Sequence, residues 1–187
     1  MQAVDKSDWQ DYLEKAKLLF PEKPIPNDRD ILNFDAFEDG EEIPKFLSDK
    51  SWVEVASSSE FQASRLAIID LGNLTQNLTR CGILYFLPGF LIHFYRWGLY
   101  EKNVWGPTFY FNFVRRLQAD DADVLKAGGS EIYFSLSAEQ KHFCAELMRG
   151  IYTNHGDPYE RFVNLGFEYY HIAMLSMARA LNQYWDK

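Results

Sequence analysis

The sequence predicts an all-α protein, a single-domain helical bundle with a kinked and buried central helix. Apolar residues recur at helical spacing through most of the chain, and no two segments alternate as paired strands would. The most apolar run covers residues 78 to 97, where only His93 is clearly polar between Cys81 and Tyr95. A helix that is apolar on all sides is typical of the centre of a bundle.

Length and composition agree with one folded domain. The chain has 187 residues, of which 47% are hydrophobic and 17% aromatic, enough for a core rich in rings. The first residues lack a secretory signal, and no apolar run reaches the ~18 residues of a membrane span, so we expect a cytoplasmic protein without a membrane partner. Cys81 and Cys144 are predicted to be small core residues in a reducing compartment.

The N-terminal part of the chain predicts helices separated by a proline-rich connector. Ser7 can cap a first helix that continues to about Phe20, because apolar residues follow helical spacing there. Three prolines then predict an extended connector over residues 21 to 35. A short helix is expected over residues 39 to 47, and the serines at 57 to 59 indicate the start of another.

The sequence of the central helix predicts an N-terminal cap and a bend. Thr79 is placed to cap the helix, since its hydroxyl can accept a hydrogen bond from the first turn. Pro88 lacks an amide hydrogen and clashes with a carbonyl one turn earlier, which predicts a kink eased by Gly89.

Later segments also predict helices. Ser137 and Gln140 have the spacing of a capping box, and Asp157 followed by Pro158 is a second start signal. The predicted helices cover residues 108 to 117, 137 to about 152 and 157 to about 184, and residues 132 to 136 are expected to lead into the second of these.

Charge is distributed unevenly along the chain. Residues 1 to 60 contain 15 acidic and 7 basic residues, whereas residues 61 to 187 contain 12 of each. We therefore expect an acidic N-terminal third, residues 1 to 60, packed on a helical core of residues 61 to 187. An acidic surface disfavours nucleic acid and favours a basic protein as partner. The alternative is a solvated surface that only keeps the protein soluble.

Two Glu-x-x-His pairs raise the alternative of a metal-binding or enzymatic bundle. Glu139 and His142 form the first pair, and Glu168 and His171 form the second. Di-iron bundles use two such pairs together with a glutamate from each of two other helices. The central run has no acidic residue between positions 79 and 100, so the expected outcome is that the protein has no metal and no cofactor.

Signatures of catalysis are missing elsewhere in the sequence. No nucleophile elbow, phosphate-binding loop or dinucleotide fingerprint occurs, and His93 forms no recognisable pattern with a cysteine or serine. We therefore predict a protein that is not an enzyme. A structural homo-oligomer is a further alternative, with exposed aromatic residues of the last helix as its surface.

Two blocks of sequence resemble a family of small bacterial proteins found among polymorphic-toxin immunity proteins. Residues 41 to 52, E-E-I-P-K-F-L-S-D-K-S-W, are similar to the family pattern E-E-I-x-x-F-x-x-K-x-W. Residues 78 to 91 resemble L-T-P-E-A-F-x-Y-Y-L-P-A-F-L, and residues 136 to 140 match a later L-T-x-E-Q. Asp49 stands where a glycine usually precedes the Lys-x-Trp. The resemblance covers residues 39 to 152 and implies no catalytic residue.

This resemblance and the charge distribution lead to one functional hypothesis. The protein is expected to be a cytoplasmic, non-enzymatic immunity protein that binds a cognate toxin, or another basic protein, through its acidic N-terminal third. Trp52 is a candidate aromatic anchor for this partner unless it is a core residue. The oligomeric state is left open. The candidate rim charges of the partner-binding surface are Glu38, Asp39, Glu41 and Glu42.

Overall fold

A computed structural model describes residues 8–31, 47, 49–58, 78–97, 113, 117, 129–154 and 177–185. These residues are mainly helical and include no β-sheet, which confirms the all-α prediction for the described part of the chain. The helices are α1 (Asp8–Leu19), α2 (Asp28–Ile31), α3 (Trp52–Ser57), α4 (Arg80–Trp97), α5 (Gly129–Phe134) and α6 (Ala138–Asn154), and a π-helical turn covers Leu181–Trp185.

Helix α4 is the centre of the fold. Its residues Phe86, Phe90 and Phe94 are almost completely buried, and α1, α2, α3, α5 and α6 all pack against it. The prediction of a buried central helix is therefore confirmed. Pro88 lies inside α4, and the kink expected there stays a prediction.

The N-terminus of α4 is capped as the sequence predicts. The hydroxyl oxygen of Thr79 accepts a hydrogen bond from the amide of Gly82 at 3.0 Å. The Thr79 amide donates to the carbonyl oxygen of Ile31 at 2.8 Å, and its hydroxyl lies 3.1 Å from the same oxygen. One residue thus caps α4 and joins it to the end of α2.

Two short helices in the N-terminal third differ from the expectation. The connector is not extended throughout, because α2 forms at Asp28–Ile31, where the side-chain oxygen of Asn27 accepts from the amide of Asp30 at 3.1 Å. Helix α3 is likewise not predicted by the sequence patterns described above. It begins with a capping box in which the Ser51 amide donates to Glu54 Oε2 at 2.7 Å.

The start of α6 follows its sequence signal. The Ser137 amide donates to Gln140 Oε1 at 2.9 Å, and the Gln140 amide donates to Ser137 Oγ at 3.2 Å, which confirms the capping box. Gln140 Nε2 also donates to the carbonyl oxygen of Leu19 at 2.8 Å, so this cap ties α6 to the end of α1. Most of residues 132–136 belong to α5 and the turn that follows it.

The two cysteines have different environments. Cys144 is completely buried, as predicted, whereas Cys81 is exposed, so its prediction as a core residue is wrong. Arg80 and Cys81, in the first turn of α4, are both exposed. An apolar run does not show where a helix emerges from the bundle.

The C-terminal end of the described chain contributes to the core. Trp185 is 4% exposed, and its indole nitrogen donates to the carbonyl oxygen of Leu117 at 3.0 Å. Leu117 and Phe113 are completely buried. Trp185 is therefore not available as part of the aromatic oligomer surface that the sequence suggested for the last helix.

Several parts of the remaining predicted helices lie outside the described residues: residues 39 to 46, the helix after the serine run, residues 157 to 176, and residues 108 to 117 apart from Phe113 and Leu117. Among the helices that are described, none combines the length and the apolar character needed to cross a bilayer.

Candidate interaction surface

One face of α4 lies against the backbone of the N-terminal third at two points, Ile31 and Trp52. Gly82 and Gly89 lie on this face, and each is in close contact with a passing chain. A Cβ atom on Gly82 would lie 3.1 Å from the carbonyl carbon of Ile31, and one on Gly89 would lie 2.5 Å from the carbonyl oxygen of Trp52. Glycine is needed at both positions because a side chain would displace these backbones.

Hydrogen bonds fix the proline-rich connector beside this face. The Tyr85 hydroxyl donates to the carbonyl oxygen of Glu22 at 2.7 Å, and the indole nitrogen of Trp52 donates to the carbonyl oxygen of Pro21 at 3.2 Å. Burial raises the pKa of Tyr85 to about 12, so its hydroxyl remains a donor at neutral pH. The connector is therefore bound to both α3 and α4.

Arg96 joins the other end of α4 to α1 and α3. Its guanidinium lies 4.1 Å from the centre of the Trp9 ring, and its Nη1 donates to the carbonyl oxygen of Ser57 at 2.9 Å. Ser57 is the last residue of α3, where a positive charge is favourable. Burial lowers the pKa of Arg96 from its very high ordinary value.

Helix α1 is bound to α6 through Glu146. Lys15 Nζ lies 2.5 Å from Glu146 Oε2, and the Tyr12 hydroxyl donates to Glu146 Oε1 at 3.4 Å. Burial, and then the charge of Glu146, raise the pKa of Tyr12 to about 12. The ammonium group of Lys15 therefore pairs with the carboxylate of Glu146, which belongs to the C-terminal two thirds of the chain, and not with a carboxylate of residues 1 to 60.

The carboxylates of the N-terminal third lie at the surface of the described structure. Glu22 is half-buried, and the other described side chains of this type are exposed. Within α1, Nζ of Lys17 lies 2.7 Å from Oε1 of Glu14. The described exposed carboxylates of residues 1 to 60 are Asp8, Asp11, Glu14, Asp30, Asp49 and Glu54.

Of the residues predicted to bind a partner, Trp52 lies among the described residues and the four rim charges do not. Trp52 has no exposed surface, so the anchoring of a partner by this ring is corrected to the core role that the sequence also allowed. Its indole bond is made within its own chain. The four rim charges, Glu38, Asp39, Glu41 and Glu42, lie outside the described residues.

The two Glu-x-x-His pairs are not brought together by any described contact. Glu139 and His142 are exposed on α6, and Glu168 and His171 lie outside the described residues. In the part of the chain that the structure covers, no three His, Cys, Asp or Glu residues are grouped so that they could hold a metal ion.

Three titratable groups on α4 and α6, the buried Cys144 and His93 and the exposed Cys81, whose thiol is partly shielded from solvent, are held in their neutral forms. Burial raises the pKa of the Cys144 thiol, and burial followed by the charge of Asp30 raises the pKa of Cys81. Burial, and then the charge of Arg96, lower the pKa of His93 to about 3. At neutral pH these groups are therefore two thiols and an uncharged imidazole, none of them activated for nucleophilic attack.

Comparison of the chain with models of known protein families, with curated proteins and with solved structures finds no match. The likeness to the immunity-protein family therefore stays a prediction. One structural feature concerns it directly. Asp49, which stands where the family pattern usually has glycine, has a φ of 59°. This left-handed conformation is the one that glycine adopts most easily.

The contacts of Gly82 with Ile31 and of Gly89 with Trp52 were not predicted from the sequence. Their signal in the sequence is a spacing of seven residues, which places both glycines on one face of a helix. The spacing shows where a backbone can approach, but the identity of the segment that approaches depends on the tertiary fold.

Proposed function

We propose that the protein is a non-enzymatic binding protein, an immunity protein that neutralises a cognate bacterial toxin in the cytoplasm. It binds a basic surface of the toxin through its acidic N-terminal third, with Glu38, Asp39, Glu41 and Glu42 at the rim of the contact. The observation that carries the proposal is the charge distribution, because the entire acidic excess of the chain lies in residues 1 to 60.

The described structure supports this use of the charge. Nearly all described carboxylates of the N-terminal third are exposed, so their field reaches solvent and a partner. Fields of opposite sign on two proteins accelerate their association and orient the encounter. The contacts of α1, α2 and α3 with α4 hold this charge on a packed scaffold.

The backbone at Asp49 supports the family resemblance on which the toxin assignment rests. A glycine in the family pattern and a left-handed backbone at the same position in this chain have one physical explanation, since glycine meets no steric penalty there. Aspartate tolerates this conformation better than most other residues do. The substitution therefore keeps the turn before α3 while adding one more negative charge.

The first experiment uses the protein as bait at low salt and elutes the bound proteins with increasing salt. We expect a basic protein that stops growth when it is expressed alone and that does not when this chain is co-expressed. Capture of proteins that are neither basic nor toxic under these conditions would reject the immunity function.

The second experiment locates the contact. The variant E38K/D39K/E41K/E42K should slow association with the captured toxin by an order of magnitude or more at low salt and weaken the salt dependence. Its matched control, D120K/D121K/D123K/E139K, changes the net charge equally and lies in the C-terminal two thirds of the chain. Equal slowing by the two variants would mean that only net charge matters and would remove the four residues from the contact.

A further inference from the structure

Helix α1 has a buried face and an outward face on opposite sides. Leu13 and Ala16 are the buried residues of the helix, and they share a face because they are three positions apart. Asp11 and Glu14 each come two positions before one of them, a rotation of about 200° around the helix axis. Leu18 follows Glu14 by four positions and lies on the same side as the two carboxylates. These three residues define the outward face of α1.

The outward face of α1 combines an exposed apolar side chain with carboxylates. Leu18 is 88% exposed, more than any other exposed large hydrophobic residue of the described chain. Asp11 and Glu14 are exposed as well. Protein interfaces use this combination, since an apolar group is buried at the centre of the contact and charges remain at its rim. The face therefore has the side chains that a protein contact requires.

The lysines of α1 leave the outward face acidic. Nζ of Lys15 lies 2.5 Å from Oε2 of Glu146, so its charge is paired with α6. Nζ of Lys17 lies 2.7 Å from Oε1 of Glu14, in an exposed pair of low stability that a cation of a partner can replace. Asp8, in the first turn, adds a further exposed carboxylate to the helix. A positively charged surface is therefore attracted to this helix, and an anionic surface is repelled.

Contacts at both ends hold α1 in place on the bundle. Near its start, the ring of Trp9 has its centre 4.1 Å from the guanidinium carbon of Arg96. At its end, the carbonyl oxygen of Leu19 accepts a hydrogen bond from Nε2 of Gln140 at 2.8 Å. A partner that binds the outward face thus meets a helix that is already ordered, which lowers the entropic cost of binding.

We propose that the outward face of α1 is a docking surface for a basic protein surface with an apolar recess. Leu18 enters the recess, and Asp11 and Glu14 pair with basic residues around it. This face has the apolar anchor that the sequence suggested for Trp52, which belongs to the core. The inference rests on the proposed function for the identity of the partner, a toxin, whereas the chemistry of the face comes from α1 itself.

A synthetic amphipathic peptide of lysine and leucine is the first probe, because it presents a row of leucines between lysines. Its titration into the isotope-labelled full chain should shift the NMR amide signals of α1 more than those of other segments. Leu18→Ser should weaken binding about tenfold or more, since it removes the apolar group that binding takes out of water. Asp11→Asn combined with Glu14→Gln should weaken binding about fivefold or more at low salt and much less at high salt.

Matched controls lie outside α1. Phe134→Ser is the control for Leu18→Ser, because Phe134 is 74% exposed and belongs to α5. The variant D120N/D121N removes two carboxylates from the C-terminal two thirds of the chain. Both controls should bind the peptide as the parent does. Signal shifts mainly outside α1, or equal weakening by Phe134→Ser, would overturn the inference.

A second copy of the chain is the alternative occupant of this face, and sedimentation distinguishes it. The parent and Leu18→Ser should sediment alike, because the face is open until a basic partner binds. A dimer of the parent that dissociates in Leu18→Ser would show that a second copy covers the face, and it would overturn the assignment to a basic partner.

Binding of the toxin separates this inference from the proposed function. A basic toxin captured with the protein should bind Leu18→Ser about tenfold more weakly than it binds the parent. Equal binding would overturn the docking surface on α1 and would leave the immunity function standing. If no toxin is captured, the proposed function fails, and the peptide titration still decides whether α1 binds a basic amphipathic surface.

Discussion

The indole nitrogen of Trp52 donates a hydrogen bond to the carbonyl oxygen of Pro21 at 3.2 Å, and the Trp52 ring has no exposed surface. The first residue of α3 thereby holds the connector that follows α1. Its own carbonyl group lies against Gly89 of the central helix. Trp52 therefore joins three segments of the chain and acts in the fold rather than at a partner surface.

Trp52→Phe should lower the free energy of unfolding by about 1–3 kcal/mol, because it removes a buried hydrogen bond and leaves part of the indole volume empty. Urea denaturation measures the change. Tyr152→Phe is the control, since Tyr152 is 43% exposed and should change stability by less than about 0.5 kcal/mol. Equal effects of the two substitutions would contradict the core role of Trp52.

The left-handed backbone conformation of Asp49 leads to a second prediction, which concerns stability. Asp49→Val should destabilise the protein by about 1–2 kcal/mol, because a branched Cβ clashes with the backbone at positive φ. Asp49→Gly should be close to neutral, since glycine removes the steric penalty at positive φ but also raises the entropy of the unfolded chain, which opposes that gain. Urea denaturation of the two variants compares their free energies of unfolding. If the valine variant were more stable than the glycine variant, the left-handed conformation of Asp49 would be contradicted.

Local signals explain which parts of the fold could be predicted. Thr79 and the Ser137–Gln140 capping box mark helix starts through residues only three positions apart, and the structure confirms both. Helix α3 has the same kind of signal in Ser51 and Glu54, so it could have been found. The apolar residues Trp52, Val53 and Val55 that follow Ser51 do not by themselves distinguish this short helix from an extended segment.

Long-range contacts explain which features of the fold could not be predicted from the sequence. Trp52 is buried where its indole nitrogen bonds to the connector at Pro21 and its carbonyl group lies against Gly89. Neither partner is close in sequence, so periodicity alone gives no information about them. The contacts of Ile31 with Gly82 and of Trp52 with Gly89 likewise required the structure.

The different environments of the two cysteines predict their reactivity. In the native protein one thiol, Cys81, should react with an aromatic disulfide reagent, and Cys144 should react only after unfolding. The raised pKa of Cys81 should make this reaction slower than that of a free thiol at the same pH. Cys81→Ser should leave the native protein unreactive, and two reactive thiols in the native parent would contradict the burial of Cys144.

The buried imidazole of His93 makes stability depend on pH. Burial, and then the charge of Arg96, lower the pKa of His93 to about 3 in the folded protein, whereas an unfolded chain has a value of about 6.5. Between these values the unfolded state binds a proton that the folded state does not. The contribution to stability is therefore fully present above pH 6.5 and is lost as the pH falls towards 3, with a slope approaching ~1.4 kcal/mol per pH unit.

Urea denaturation between pH 7 and pH 5 should detect this slope before most carboxylates become protonated. His93→Gln replaces the imidazole with a neutral polar group and should flatten the dependence, even if it lowers stability at every pH. His142→Gln is the control, because the His142 side chain is exposed on α6 and its replacement should leave the slope in place. If the slope of His93→Gln equals that of the parent, the pH dependence belongs to other groups and the neutral buried state of His93 is excluded as its cause.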